Sequence, residues 1–314
     1  MAPVSPLSRR ELWVRLLLYP THTLPTAAAP VLVGIGLAIH DHVFAALPAL
    51  VGFLASWLLH VGGVFTDNYE LLVRHPENRE HPELVEAIKK GTLSLSVLRG
   101  AIAFCYGAAL LTGPYLLHVG GPLVVAFGIL GVVSSWSYAA GPLAYARLGL
   151  ADPIFFVMFG IVAVVGTYFI QAAPLYLSPS DWPPAAPAFP LNAFVLGLPV
   201  GALVTNVLLI DDMRDHVPDR AKGWRTGTVR FGMAWTRFEI VALSAFSYII
   251  PFWFWLGRGF SPWVLLPLLT LPQAMRVARV ISTRDRFEDL FPMTPKAATL
   301  AVFYAALLAI GIAL

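Results

Sequence analysis

The sequence predicts an all-α polytopic membrane protein, with nine transmembrane helices in a single domain over residues 1–314. Three observations predict it. Of 314 residues, 58% are hydrophobic and only 12% charged, with a mean hydropathy of +0.73, whereas soluble chains carry roughly twice that charged fraction. The apolar residues gather into runs of about 20, the length that crosses a hydrocarbon layer at 1.5 Å rise per residue. The basic residues fall almost wholly in alternate connections between those runs.

The runs, in order, are 22–40, 43–66, 95–117, 121–140, 152–173, 189–210, 236–257, 260–279 and 296–314. Arg9, Arg10 and Arg15 precede the first, and Pro20 and Pro25 break the apolar stretch there, so Met1 to Leu18 is not expected to be a cleavable signal. Arg74, Arg79, Lys89, Lys90 and Arg99 lie between runs two and three, and Arg147 between four and five. Between five and six stands a Pro-rich stretch whose Tyr176 and Trp182 suit the headgroup level. Arg214, Arg220, Lys222, Arg225 and Arg230 lie between six and seven with Arg237 at the start of seven, and Arg284 and Arg286 lie between eight and nine with Arg276, Arg279 and Lys296 at the flanking run ends. Only Arg258 falls on the opposite side. The positive-inside rule then puts the N-terminus in the cytoplasm and the C-terminus outside, in a bacterial or archaeal cell membrane.

Net charge is +3, but the basic residues orient helices and form no single face, which argues against a nucleic-acid partner. Cys105 sits in an apolar run and reads as a small buried hydrophobe. No Gly-rich phosphate loop, CxxC or nucleophile elbow appears in its required context. Glycines within the runs, such as Gly34, Gly36, Gly160, Gly166, Gly197 and Gly201, read as close-packing positions.

Acidic residues beside a membrane are costly and usually functional, and here they form two groups at the cytoplasmic ends of runs two and six. In the second group, Asp211, Asp215 and Asp219 recur every four residues. On a helix continuing from run six they share one face, where like charges repel unless a cation sits among them. Hard oxygen donors suit Mg²⁺. Arg214, Arg220, Lys222 and Arg225 stand ready for phosphate oxygens. The same spacing also suits a solvated helix end with ion pairs to Arg214 and Arg220. In the first group, Asp67 and Glu70 are three apart at the end of run two, and Glu77, Glu80, Glu83 and Glu86 follow on a stretch that reads as an amphipathic loop helix.

Two acidic ends facing one another, after spans two and six of nine, resemble the UbiA superfamily of intramembrane prenyltransferases. The second group is similar to that family's N-x-x-R-D-x-x-x-D-R-x-x-G-x-x-T through Arg214, Asp215, Asp219, Arg220, Gly223 and Thr226, with Asp211 or Asp212 where the family has Asn. Val229-Arg230-Phe231-Gly232 resembles its V-R-L-G. Pro20 to Pro25, Tyr138 to Tyr145 and Phe159 to Tyr168 resemble stretches of one branch, the 1,4-dihydroxy-2-naphthoate polyprenyltransferases of menaquinone synthesis. There are departures. Gly63 and Thr66 stand at the two Asn positions of the first family motif, Glu70 replaces an Asp, His22 a Lys, Gly141 an Arg, and Trp224 a basic residue.

The resemblance implies helices around a central cavity open to the cytoplasm. It implies Mg²⁺-dependent transfer of a polyprenyl group from an allylic diphosphate to a small aromatic acceptor, by preference 1,4-dihydroxy-2-naphthoate. Asp67, Glu70, Asp215 and Asp219 are the expected catalytic residues, and with Asp211 the expected metal ligands. Asn206, Arg214, Arg220, Lys222, Arg225, Tyr69, Tyr138, Tyr145, Lys89 and Lys90 are the expected substrate contacts. Membrane lipid is the surrounding partner. Two alternatives stay open: another acceptor (4-hydroxybenzoate, homogentisate or a quinoline-like ring), and a non-catalytic relative that binds or transports a lipid phosphate.

Overall fold

The computed structural model describes Ser8, Arg10, Glu11 and residues 23–75, 82–176 and 186–314. The stretch 20–22, Glu77, Glu80, Asp181 and Trp182 lie outside the described residues, as does the side chain of Glu83.

The described residues are helical throughout, with no strand. The long helices are α1 (Thr23–His40), α2 (Ala46–Arg74), then after a short amphipathic α3 (Pro82–Lys89), α4 (Leu95–Gly120) and α5 (Leu123–Ser137). A one-turn α6 (Tyr145–Leu148) leads into α7 (Ala151–Tyr176). Then come α8 (Leu191–Ala221), short α9 (Gly227–Phe231), α10 (Met233–Arg258), α11 (Leu271–Thr283) entered through a 3₁₀ segment Pro262–Thr270, short α12 (Phe287–Leu290) and α13 (Met293–Ala313). Among the described residues, seven helices are long and apolar enough to cross a membrane. They coincide with seven of the nine expected spans. The first and fourth coincide with shorter apolar helices, Leu24–His40 and Leu123–Ser137.

Helix α8 is the axis of the bundle. Its apolar window is 83% buried, against 17% for α4, and it touches α1, α7, α10 and α13. Without a hydrophobic drive between helices in lipid, close backbone approach and side-chain hydrogen bonds hold such a bundle. Both are present. A Cβ on Gly201 would lie 2.5 Å from the Phe156 carbonyl oxygen, and one on Gly160 2.7 Å from that of Gly197. A Cβ on Gly36 would lie 2.6 Å from the Ala309 Cα, which closes the seam between α1 and α13. Gly166 is looser, with its nearest neighbour, Phe127, at 3.5 Å. Ser247 of α10 donates to the Pro199 carbonyl of α8 at 3.1 Å.

At the α7–α8 contact, α7 widens into a π-helical turn, Phe156–Val162. Such bulges are often found at functional sites. Here the turn lies against α8 and sends Met158, Phe159 and Val162 into an internal cavity.

Candidate active site

A cavity of about 760 Å³ lies between α2, α4, α5, α7 and α8. Its walls are apolar, and its acids gather at one end. On α2 the lining residues are Gly52, Ala55, Ser56, Leu59, His60, Gly63, Val64, Asp67, Asn68 and Leu71. That three-and-four spacing is one helix face. From Gly52 to Asp67 it corresponds to roughly 22 Å of depth at the helical rise. Helix α8 presents Val204, Val207, Leu208, Asp211, Asp212, Asp215 and Asp219 to the same cavity. Both helices run past the apolar spans, α2 to Arg74 and α8 to Ala221, and the acids ride on those extensions.

Three carboxylates of α8, Asp211, Asp215 and Asp219, are tied to cations close by in sequence. Arg214 Nη1 lies 2.5 Å from Asp211 Oδ1, and Arg214 Nε donates to Asp215 Oδ1 at 2.9 Å, with Nη2 on the other Asp215 oxygen. The guanidinium stands 5.8 and 5.7 Å from the ring centres of Phe287 and Phe291. Thr294 donates its hydroxyl to Asp211 Oδ1 at 2.6 Å. One turn on, Lys222 Nζ lies 3.2 Å from Asp219 Oδ1 and 4.1 Å from the Trp224 ring centre. Arg147 stacks over Trp224 at 5.6 Å and accepts the Arg225 N–H on its carbonyl at 2.9 Å. Gly149 has φ +71°, and a Cβ there would sit 2.0 Å from the Arg225 carbonyl oxygen. A glycine is therefore required where these two rim connections meet.

Rings run inward from the mouth. Tyr138 meets Tyr145 edge-on at 5.5 Å and Phe155 at 5.5 Å; Phe155 meets Phe159 at 5.0 Å, and Phe159 meets His60 at 5.3 Å. All five line the cavity. His60 Nε2 lies 3.1 Å from Thr26 Oγ1. Burial first, then the nearby Asp67 and Asp212 charges, holds the Tyr138 phenol well above its ordinary pKa. Burial pushes Tyr145 up to about 12, against the pull of its hydrogen bond with Ser134. Both phenols therefore stay protonated at neutral pH and act as neutral hydroxyls and π faces.

Of the expected site residues, Asp67, Asp211, Arg214, Asp215, Asp219, Tyr138 and Tyr145 meet at this cavity. Others do not line it. Glu70, one turn from Asp67 but about 60° further round the helix, turns to Arg74 at 2.7 Å and Arg147 at 3.6 Å. Tyr69 is on the opposite flank and packs among Val61, Phe65 and Leu72. Asn206 faces α10, donating to the Ile240 carbonyl at 3.2 Å and Ser244 Oγ at 2.9 Å. It is a helix–helix bond instead of a cavity contact. Lys89 and Lys90 are exposed, and Lys90 pairs with Glu86 at 2.9 Å, which holds the Glu86 carboxyl below its ordinary pKa. Arg220 and Arg225 are exposed, and Lys222 does not line the cavity but contacts Asp219 and Trp224, which do.

Several cavity residues lie outside the expected site set: Asn68, His60, Phe287 and Phe291, together with Asp212 and Trp224, which the sequence showed only as positions in the family-like motif. His60 and Asn68 carried a usable signal, because His60 lies seven residues, about two helical turns, before Asp67 and Asn68 lies eight after His60. The two phenylalanines carried none, because only folding brings α12 over α8.

The donor set at the mouth is all oxygen. Among the described residues, no three His, Cys, Asp or Glu side chains converge into a ready cage. The acids come from two helices, and Arg214 and Lys222 already neutralise part of their charge. That arrangement fits a hard divalent cation taking much of its coordination from an anionic substrate, with Asp67, Asp211, Asp215 and Asp219 as the residues that would hold it.

Known proteins share this arrangement of helices and are similar to this chain in sequence. A UbiA homolog from Aeropyrum pernix K1 superposes with a TM-score of 0.66 over 93% of this chain and 97% of its own, at 15% identity. The 1,4-dihydroxy-2-naphthoate octaprenyltransferase of Mycobacterium tuberculosis is 29% identical over 86% of this chain and 87% of its own length. That of Escherichia coli is 27% identical over 98% and 96%. The sequence pattern of the UbiA prenyltransferase family matches residues 27–294, and this chain, an integral membrane enzyme of the prenyltransferase class, belongs to that family.

Proposed function

We propose that the protein transfers a polyprenyl group from an allylic diphosphate to 1,4-dihydroxy-2-naphthoate, with Mg²⁺ as the cation, at the cytoplasmic face of the membrane. The observation that carries this is the polarity of one cavity: carboxylates and an arginine at its mouth, aromatic rings below them, and an apolar channel behind. A prenyl diphosphate has the same polarity. The 1,4-dihydroxy-2-naphthoate octaprenyltransferases among its relatives support the acceptor.

Each residue then has a chemical task. Arg214, and Lys222 beside Asp219, offer N–H donors to the diphosphate oxygens. The rim aspartates Asp67, Asp211, Asp215 and Asp219 would hold Mg²⁺, which when bound would neutralise charge on the leaving diphosphate. The allylic C–O bond breaks, the electron pair leaves with diphosphate, and the cation forms among Tyr138, Phe155 and Phe159, whose π faces attract it. Apolar walls keep out the water that would quench it. The ring carbon that bears the acceptor's carboxylate attacks, and loss of CO₂ restores aromaticity. The tail occupies the apolar channel.

The test is an assay in lipid nanodiscs with Mg²⁺, farnesyl or longer diphosphates, and either dihydroxynaphthoate or 4-hydroxybenzoate, read by mass spectrometry. The expected result is a decarboxylated prenyl-naphthalenediol that disappears with EDTA. Product only from 4-hydroxybenzoate would discard the acceptor. Bound diphosphate with no product from any acceptor would discard catalysis.

A further inference from the structure

We infer that Arg214 is an internal counter-cation that keeps bare divalent metal out of the mouth and yields only to metal arriving with diphosphate. This rests on the metal reading above.

Asp211 and Asp215 are adjacent on the α8 face, and the guanidinium lies between them, touching both at 2.5 and 2.9 Å. Its planar fork suits two carboxylates at once. The side chain is 13% exposed, so solvent screens the contacts only weakly. Phe287 and Phe291 of the α12 segment back the guanidinium with their rings, and Thr294 fixes Asp211 from α13. Two carboxylates and two rings thus hold one cation in the position between the carboxylates, with Thr294 on a third element bracing Asp211.

A bare divalent ion entering there must break both ion pairs. It then sits beside a positive charge that has lost its partners and is still confined by two rings, and like charges at contact repel. An ion that arrives with diphosphate avoids this. The displaced fork finds phosphate oxygens, which match its geometry as carboxylates do. Metal and diphosphate are therefore coupled, each raising the affinity for the other, and the coupling passes through one side chain. Such a device prevents the site from filling with metal in an order that would leave the diphosphate without a donor.

The test is equilibrium binding of Mn²⁺, a spectroscopic substitute for Mg²⁺, to the full chain in nanodiscs by electron paramagnetic resonance. It is run with and without farnesyl thiodiphosphate, which resists ionisation. Without the diphosphate, Arg214→Gln should bind Mn²⁺ about tenfold more tightly than the unsubstituted chain, a change equal to about 1.4 kcal/mol. Arg214→Lys keeps the charge but not the fork, and should fall between them; it also serves if the glutamine variant does not fold. Arg230→Gln removes an exposed charge on α9 and should change nothing. Equal binding by all four proteins without diphosphate would overturn the counter-cation while leaving the metal reading intact. No bound Mn²⁺ in any of them, even with the diphosphate, would overturn both.

Discussion

Replacing Asp219 by Asn separates what this carboxylate does for the fold from what it does in the cavity. Asp219 is 3% exposed, and its oxygen lies 3.2 Å from Lys222 Nζ, whose side chain is 10% exposed. Removing one partner of a buried ion pair leaves the other charge uncompensated, at a cost of about 3–5 kcal/mol. The Trp224 ring, 4.1 Å from the ammonium, offsets about 1 kcal/mol of this, so a net loss of about 2–4 kcal/mol is expected. Asp219→Asn with Lys222→Gln removes both charges and should recover most of the loss. The assay is thermal unfolding in one detergent for the four members of the cycle, with turnover measured in parallel in nanodiscs. Stability should return in the double variant and turnover should not, because the carboxylate also lines the cavity and Lys222 is itself a proposed diphosphate donor. Full activity in the double variant would show that Asp219 is only the counter-ion of Lys222. Unchanged stability in the single variant would refute the buried pair.

Asp67→Asn should lower turnover by 100-fold or more, about 2.7 kcal/mol of transition-state stabilisation, while Glu70→Gln, facing away from the cavity, should lose less than about tenfold; reversed effects would move the site to the other face of α2. Gly201→Ala places a Cβ 2.5 Å from the Phe156 carbonyl oxygen and should cost about 1–3 kcal/mol by overpacking, seen as a lower unfolding midpoint. Gly107→Ala, which meets nothing within 4 Å, should not lower it. Tyr145, raised to about 12 by burial, should contribute stability below its unfolded value near 10 that is lost as pH rises from there through 12, because only the unfolded chain ionises across that window. Tyr145→Phe should flatten the alkaline decline in the unfolding midpoint, and an unaltered decline would show that other groups cause it.

Composition and charge asymmetry were enough to give a helical membrane chain, because lipid forces backbone groups to bond within helices and the basic loops orient them. The four-residue spacing of Asp211, Asp215 and Asp219 gave the helix face they share, because the α-helical period is fixed by the backbone. The likeness to a family came from the motif residues themselves, Arg214, Asp215, Asp219, Arg220, Gly223 and Thr226, which persist where overall identity is below a third. Spacing could not give which way a side chain turns at the edge of a face. Asp67 and Glu70 look equivalent in sequence, yet one lines the cavity and the other is drawn aside by Arg74 and Arg147. Asn206 looks like a pocket residue because it is polar at lipid depth, but its partner, the Ile240 carbonyl, lies 34 positions away. The same holds for the rings over Arg214 and for Arg147 over Trp224. Each is a contact between distant segments, set by how α8 packs against its neighbours, and local sequence carries no record of that packing.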